Sequence, residues 1–208
     1  MTAAPIRILI VDDHSLLRQG IAGILAPEQD MEVVGEAENG ADAVEAFAQL
    51  QPDVTLMDLQ MPVMSGIDAI TLIHDRAPNA RIVVLTTYQG DVQAVRALKA
   101  GARGYLLKSS LIDELLTAIR TVHAGRRYIP ADVAQEIALH AAEEPLTARE
   151  VDILTLVATG KANKVAAREL AVSEQTVKAH LRTIFQKLGV NDRTEAVTTA
   201  LRRGIITL

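Results

Sequence analysis

Apolar residues gather in short runs along the first part of the chain: Ile8-Leu9-Ile10-Val11, Val54-Thr55-Leu56-Met57, Ile82-Val83-Val84-Leu85 and Tyr105-Leu106-Leu107, with a weaker run at Val33-Val34. They are too short for helices, and near-continuous apolar strands belong to parallel sheets covered on both faces. Between them lie amphipathic stretches from Leu16 to Leu25, Ala41 to Leu50, Ile67 to Asp75, Val92 to Ala100 and Ile112 to Ala124. Strand and helix thus alternate five times, which predicts an α/β, doubly wound, five-stranded parallel sheet.

The pattern beyond Pro145 is helical throughout. Thr147 and Glu150 form a capping box ahead of Val151, Leu154 and Val157, so a helix starts there, and Gly160 ends it. A second helix is predicted from Asn163 to Leu170, and Ser173 caps a third. In that third helix Val177, Leu181, Ile184 and Leu188 form one buried stripe and leave Gln175, Lys178, Arg182 and Gln186 on the other side. Short helix, tight turn and longer helix form a helix-turn-helix signature. A last helix, Thr194 to Arg203, carries Ala196, Val197, Ala200 and Leu201, a stripe suited to the domain core or to a partner subunit.

Charge marks the joins. Residues 1–128 carry 11 Lys/Arg and 16 Asp/Glu; residues 129–144 carry none and 4; residues 145–208 carry 10 and 6. An acidic domain and a basic one are joined by an acidic segment with prolines at both ends and room for a short helix. A basic small domain on an acidic chain suggests a polyanionic partner. Hydrophobic residues make up 49% of the 208, ample for a core, and the absence of cysteine excludes disulfides and thiolate metal sites. No secretory signal and no apolar stretch long enough to span a membrane are evident, so a cytoplasmic location is expected.

The candidate chemistry lies where the strands should end. Asp12-Asp13, Asp58, Thr86 and Lys108 each follow an apolar run directly, and open α/β sheets bind ligands beyond the carboxyl ends of their strands. Taken singly, each is a turn former, a cap or a surface residue; taken together, in order, they describe a site for one phosphoryl group. Three converging carboxylates repel one another unless a cation joins them, and Mg²⁺ suits one or two carboxylates with waters and phosphate oxygens. Asp58 could then attack a phosphoryl donor and carry the group covalently, with Lys108 paired to the product and the Thr86 hydroxyl hydrogen-bonded to a phosphoryl oxygen. On the basic domain, Lys178 and Arg182, one turn apart near a helix N-terminus, suit entry into a DNA major groove. His140 and His180 form no metal-site constellation.

Residues 1–128 resemble the receiver domain of a two-component response regulator. The likeness rests on Ile10-Val11-Asp12-Asp13-His14, on Leu56 to Gly66, on Val84-Leu85-Thr86-Thr87-Tyr88 and on Gly101 to Lys108. It implies strand order 2-1-3-4-5, Asp58 as phosphoacceptor, Asp13 as a direct Mg²⁺ ligand, Asp12 as a ligand through water and the backbone carbonyl of Gln60 completing the metal site. Thr86 and Tyr105 become a switch pair. Two departures stand out: Ser109 follows the site lysine where many receivers have proline, and Thr87 replaces a smaller residue.

Residues 145–208 resemble the LuxR-type (NarL/FixJ) DNA-binding domain, through Leu146-Thr147, Arg149-Glu150, Gly160, Asn163-Lys164, Leu170, Ser173-Glu174, Thr176-Val177-Lys178, His180, Lys187 to Val190 and Arg193 to Ala196. By that likeness Lys178, Ala179 and Arg182 face base edges, and Ser173, Thr176 and Lys187 approach phosphates. Ala166 departs from the pattern, standing where a large aliphatic is usual. The two resemblances together imply a transcription regulator, not a turnover enzyme, phosphorylated by a sensor histidine kinase with Mg²⁺ and binding promoter DNA as a homodimer. Two rivals remain. A Mg²⁺-dependent aspartyl-phosphate phosphohydrolase generally has a second acid two residues after the nucleophile, where this chain has Gln60; a receiver-like regulator that is never phosphorylated would not need the complete acidic set.

Overall fold

The computed structural model describes residues 4–87 and 90–206. They fall into two compact units: residues 4–87 with 94–134, and residues 90–93 with 135–206. The first unit holds five parallel strands, β1 (Ile6–Val11), β2 (Met31–Ala37), β3 (Val54–Asp58), β4 (Ile82–Thr86) and β5 (Gly104–Leu107), in the order β2-β1-β3-β4-β5. The doubly wound fold and its strand order are those expected from the sequence.

Chain direction across this sheet reverses after β2, so right-handed crossovers place helices on both faces. Helix α1 (Ser15–Leu25) and α5 (Leu111–His123) share one face, where Ile21, Leu25, Leu115, Ile119 and Val122 pack on Ile8, Ile10, Leu56, Val83, Leu85 and Leu106. Helices α2 (Gly40–Leu50), α3 (Gly66–Arg76) and α4 (Asp91–Ala100) supply the other crossovers. The apolar runs of β3, β4 and β5 are buried at every position. Strand β2 extends well beyond Val33-Val34 because it lies at the sheet edge, where only Met31 and Ala37 are fully buried and the apolar signal is correspondingly thin.

The free edge of β5 is covered by the chain that leaves α5. The Tyr105 amide donates to the Tyr128 carbonyl at 2.8 Å, and the Tyr128 amide donates to the Arg103 carbonyl at 3.0 Å. Residues 103–105 and Tyr128 therefore pair in parallel for one step. The Tyr128 hydroxyl anchors this strap by donating to Glu114 at 2.5 Å.

Register sets the chemistry. Asp58 pairs with Leu85, Val84 with Tyr105, and Thr86 with Leu107, so the ends of β1, β3, β4 and β5 lie along one edge. Gly66, the first residue of α3, comes so close to that edge that an added Cβ would lie 1.9 Å from the Asp58 carbonyl oxygen. A short 3₁₀ turn over Lys108–Ser110, which apolar periodicity gave no means of expecting, leads from β5 to α5.

In the second unit, α7 (Ala148–Ala158), α8 (Asn163–Glu169), α9 (Glu174–Leu188) and α10 (Arg193–Arg202) form a small helical domain; α6 (Ala131–His140), in the acidic joining segment, is divided between the two units after Ala134. Thr147 and Glu150 make the expected capping box, Ser173 caps α9, and Gly189 closes α9 with φ +64°. Ile153, Leu154, Val157, Ala166, Val177, Leu181, Ile184, Ala196 and Ala200 make one core. Ala166 is fully buried there, so this position, where relatives of the resembled family carry a large aliphatic, is filled by a methyl group and its neighbours.

Val63, in the loop between β3 and α3, has φ +69° and is 88% exposed. A β-branched residue in the left-handed region is strained by about 1–3 kcal/mol; this one gains little from burial in return. Val63→Gly should therefore raise unfolding stability by about 1 kcal/mol after roughly 0.4–1 kcal/mol of extra unfolded-state entropy is allowed for. Urea denaturation followed by circular dichroism measures it, and a loss of stability would show that the loop relaxes without cost.

Candidate functional site: an acid pocket and a basic helix

The C-terminal ends of β1 and β3 bring Asp12 and Asp58 to one pocket, and β5 delivers Lys108 between them. Lys108 Nζ lies 2.7 Å from Asp12 Oδ2 and 2.8 Å from Asp58 Oδ2. Both carboxylates are buried, Asp12 completely and Asp58 at 4% exposure, whereas Asp13 is exposed, its side chain about a third open to solvent. The loop after β1 folds back on itself: the His14 amide donates to Asp12 Oδ1 at 2.9 Å. The Gln60 amide donates to Asp58 Oδ1 at 3.2 Å, which places the residue expected to lend its carbonyl directly beside the acid.

Burial raises the Asp58 carboxyl above its ordinary range, and Asp12 adds to the rise; Lys108 and the Gln60 amide oppose both without cancelling them. Burial alone would lower the Lys108 ammonium, yet hydrogen bonds to Asp12 and Asp58 hold it above its usual value. The lysine is therefore a fixed cation, while burial works against the charge on Asp58.

Ligand atoms of Asp12, Asp13, His14 and Asp58 all lie within 4.8 Å of one another. Three carboxylates against one ammonium leave about two negative charges, matching a divalent cation, and the oxygen donors are those Mg²⁺ prefers. His14 is the member of this group whose position the sequence reading left without a role. Its Nδ1 sits 2.8 Å from Asp13 Oδ1 and 3.2 Å from Asp12 Oδ1.

Thr86 and Tyr105 are brought together by register. Tyr105 pairs with Val84, two residues before Thr86 on the same strand, so the two side chains share a face of the sheet as diagonal neighbours. Tyr105 is fully buried and Thr86 nearly so. Burial pushes the Tyr105 phenol well above its ordinary range, while a hydrogen bond with Thr86 pulls the other way. The threonine at the mouth of the pocket and the tyrosine behind it are thus one connected pair.

On α9 the polar side is arranged as the sequence suggested, with one exception. Ser173, Lys178, Ala179 and Arg182 are exposed and Thr176 is half-buried. The Ser173 hydroxyl accepts the Thr176 amide at 3.0 Å, which fixes the helix start. Lys178 pairs with Glu174 one turn earlier, at 3.0 Å. Lys187 differs: its side chain is 10% exposed and its Nζ lies 3.0 Å from Glu150 and 2.9 Å from Glu144. Burial would raise the Glu150 carboxyl, but the Thr147 amide and Lys187 hold it below its ordinary range. Lys187 therefore ties α9 to the capping box of α7 as its first task. Arg193, a motif residue without a site role in the sequence reading, donates to the Val157 and Lys161 carbonyls at 3.1 and 2.6 Å and so pins the α7–α8 turn. Of the stripe on α10, Ala196 and Ala200 lie in the domain's own core, with Val197 and Leu201 partly buried beside them.

Comparison with known proteins gives two family matches. Residues 8–120 match the response regulator receiver domain, and residues 144–200 match the bacterial regulatory proteins of the luxR family. The transcriptional regulatory protein LiaR of Bacillus subtilis (strain 168) is 40% identical over 209 residues, covering 97% of this chain and 99% of its own length. A LuxR-family two-component response regulator from Aurantimonas sp. SI85-9A1 is 38% identical with a TM-score of 0.64, over 67% of this chain and 100% of that structure. The response regulator RcsB in complex with DNA is 25% identical with a TM-score of 0.71, over 95% of this chain and 98% of the other. Among the described residues no helix is long and apolar enough to cross a membrane.

The strained charge on Asp58 has a measurable consequence. A carboxyl whose folded pKa lies above its unfolded value contributes stability below the unfolded pKa and loses it as pH rises through the folded one. Asp58→Asn should thus make the metal-free protein more stable at neutral pH, by about 0.5–2 kcal/mol, with the gap closing toward pH ~4, the ordinary carboxylate range. Urea titrations in EDTA at both pH values test this; equal stability at neutral pH would mean that Lys108 already compensates the charge in full.

Proposed function

The chain belongs to the LuxR-family two-component response regulators, a receiver joined to a helix-turn-helix transcription-regulating domain, and from that premise we propose that phosphorylation of Asp58 by a sensor histidine kinase controls its binding to promoter DNA. The observation that carries this reading is the placement of Lys108 between Asp12 and Asp58, at 2.7 and 2.8 Å. Members of this family are transcriptional regulators, not metabolic enzymes.

Asp12, Asp13, Asp58 and the Gln60 carbonyl would hold Mg²⁺, which supplies charge neutralisation for the transferring phosphoryl group. One Asp58 oxygen attacks phosphorus in line with the bond to the donor imidazole. That P–N bond breaks, its electron pair stays with the imidazole, and an acyl phosphate is left on Asp58. Lys108 already faces the acceptor oxygen and follows the new charge onto the phosphoryl group. The Thr86 hydroxyl turns to donate to a phosphoryl oxygen, its bond with Tyr105 is exchanged, and the tyrosine repacks. Such a local change of charge and hydrogen bonding can bias a packed element between two arrangements.

The DNA-facing surface is α9, with Lys178, Ala179 and Arg182 toward base edges and Ser173 and Thr176 toward phosphates. Lys187 can join them only where its pairing with Glu144 gives way to a phosphate. Solved RcsB structures include a DNA complex and dimers on DNA, which supports promoter DNA and a homodimer on paired half-sites for this chain.

Incubation with acetyl phosphate and Mg²⁺, read by intact mass, should add one phosphoryl group to the wild type and none to Asp58→Asn; labelling of the variant would refute the acceptor assignment, and sustained phosphate release would favour a hydrolase. For the second domain, Lys178→Ala and Arg182→Ala should each weaken operator binding by about 1–3 kcal/mol where the contact is a bidentate one to a base. Gel-shift titration at fixed salt is the measurement, and unaltered affinity in both would move the interface off α9.

A further inference from the structure

Arg18 lies outside the acid pocket and is tied to it from behind. Along α1 the buried positions are Arg18, Ile21 and Leu25, so a guanidinium occupies a place on the stripe that otherwise enters the core. It is 7% exposed. Its Nη1 donates to the backbone carbonyl of Asp12 at 2.7 Å, its Nε to Glu36 at 2.9 Å and its Nη2 to Glu38 at 2.5 Å. Between those two glutamates, the Ala37 carbonyl accepts the Asp12 amide at 3.1 Å. Both polar groups of the Asp12 backbone are therefore held, one by β2 and the other by an arginine that is itself clamped to the end of β2.

We infer that Arg18 is a positioning residue for the divalent-cation pocket: by gripping the Asp12 carbonyl it fixes the peptide whose carboxylate faces Lys108 and Asp58. This rests on the phosphoacceptor reading of the pocket and adds to it a residue that touches none of the reacting atoms. A buried guanidinium with three charge-assisted or carbonyl partners in a rigid fork is suited to hold one backbone orientation. Groups that orient metal ligands through hydrogen bonds commonly contribute about 10–100-fold in metal affinity.

Electrostatics alone gives the opposite sign. A cation beside an acidic pocket disfavours a second cation there, so removing Arg18 would tighten Mg²⁺ binding if the arginine acted only through its charge. The sign of the affinity change therefore separates the two roles. Arg18→Lys sharpens the separation because it keeps the charge and loses the fork.

The test is calorimetric titration of the full chain with MgCl₂ for wild type, Arg18→Met and Arg18→Lys, with thermal unfolding in EDTA run beside it. Positioning predicts about tenfold weaker Mg²⁺ binding in Arg18→Met and a smaller loss in Arg18→Lys. It also predicts that labelling by acetyl phosphate needs more Mg²⁺ to reach half its maximal rate, while the rate at saturating Mg²⁺ stays near that of the wild type. Should Arg18→Met fail to fold, Arg18→Lys alone decides. Mg²⁺ binding that is unchanged or tighter in Arg18→Lys overturns the inference and leaves the phosphoacceptor reading intact. A wild type that binds no Mg²⁺ overturns the pocket reading, and the role of Arg18 falls with it.

Discussion

One ammonium group shared by two buried carboxylates governs the receiver half of this molecule. Lys108 reaches Asp12 and Asp58 at nearly equal distances, and it can do so because three parallel strands end in register at one edge. Without it, two acids removed from water would face each other with no counter-charge, a situation that proteins otherwise resolve by protonating one of them. With it, burial still holds the Asp58 carboxyl above its ordinary range, so the pocket is folded but short of positive charge. Three carboxylates gathered by one ammonium leave a deficit that a divalent cation would fill.

The same logic of partly committed charges extends to the basic domain. Lys178 is shared with Glu174, and Lys187 with Glu150 and Glu144. Exposed pairs of this sort contribute little to stability and give way readily, which suits Lys178 and the Glu144 arm of Lys187. The Glu150 arm is different, since it joins two helices and a helix cap. Lys187 thus has a structural duty that its position on the helix does not advertise.

How much could be read from residues alone follows from where each signal originates. Strands β1, β3, β4 and β5 were legible because both faces are covered and their side chains had to be apolar. Most of β2 was not, because an edge strand answers to fewer neighbours and its residues alternate without conviction. Asp12, Asp13, Asp58, Thr86 and Lys108 could be picked out since each interrupts an apolar run at the same kind of place. Arg18 could have been found by the same reasoning applied to a helix: with Ile21 and Leu25 it sits at core spacing, and a cation there demands partners. Its partners, Glu36 and Glu38, lie on a strand whose pairing no local pattern announces. The burial of Lys187 was hidden for a similar reason, as Glu144 and Glu150 come from a different helix and its approach.

The strap at Tyr128 bears on how the molecule can be divided. A sheet edge left bare is a template for any extended chain that meets it, and here the vacancy is filled by the protein's own backbone, bonded to the amide of Tyr105 and the carbonyl of Arg103. The receiver is therefore a self-sealed piece only when cut beyond Tyr128. A fragment ending with α5 would keep every residue of the acid pocket and expose an adhesive flank right beside the buried tyrosine, trading a sealed edge for one prone to pair with other copies of itself.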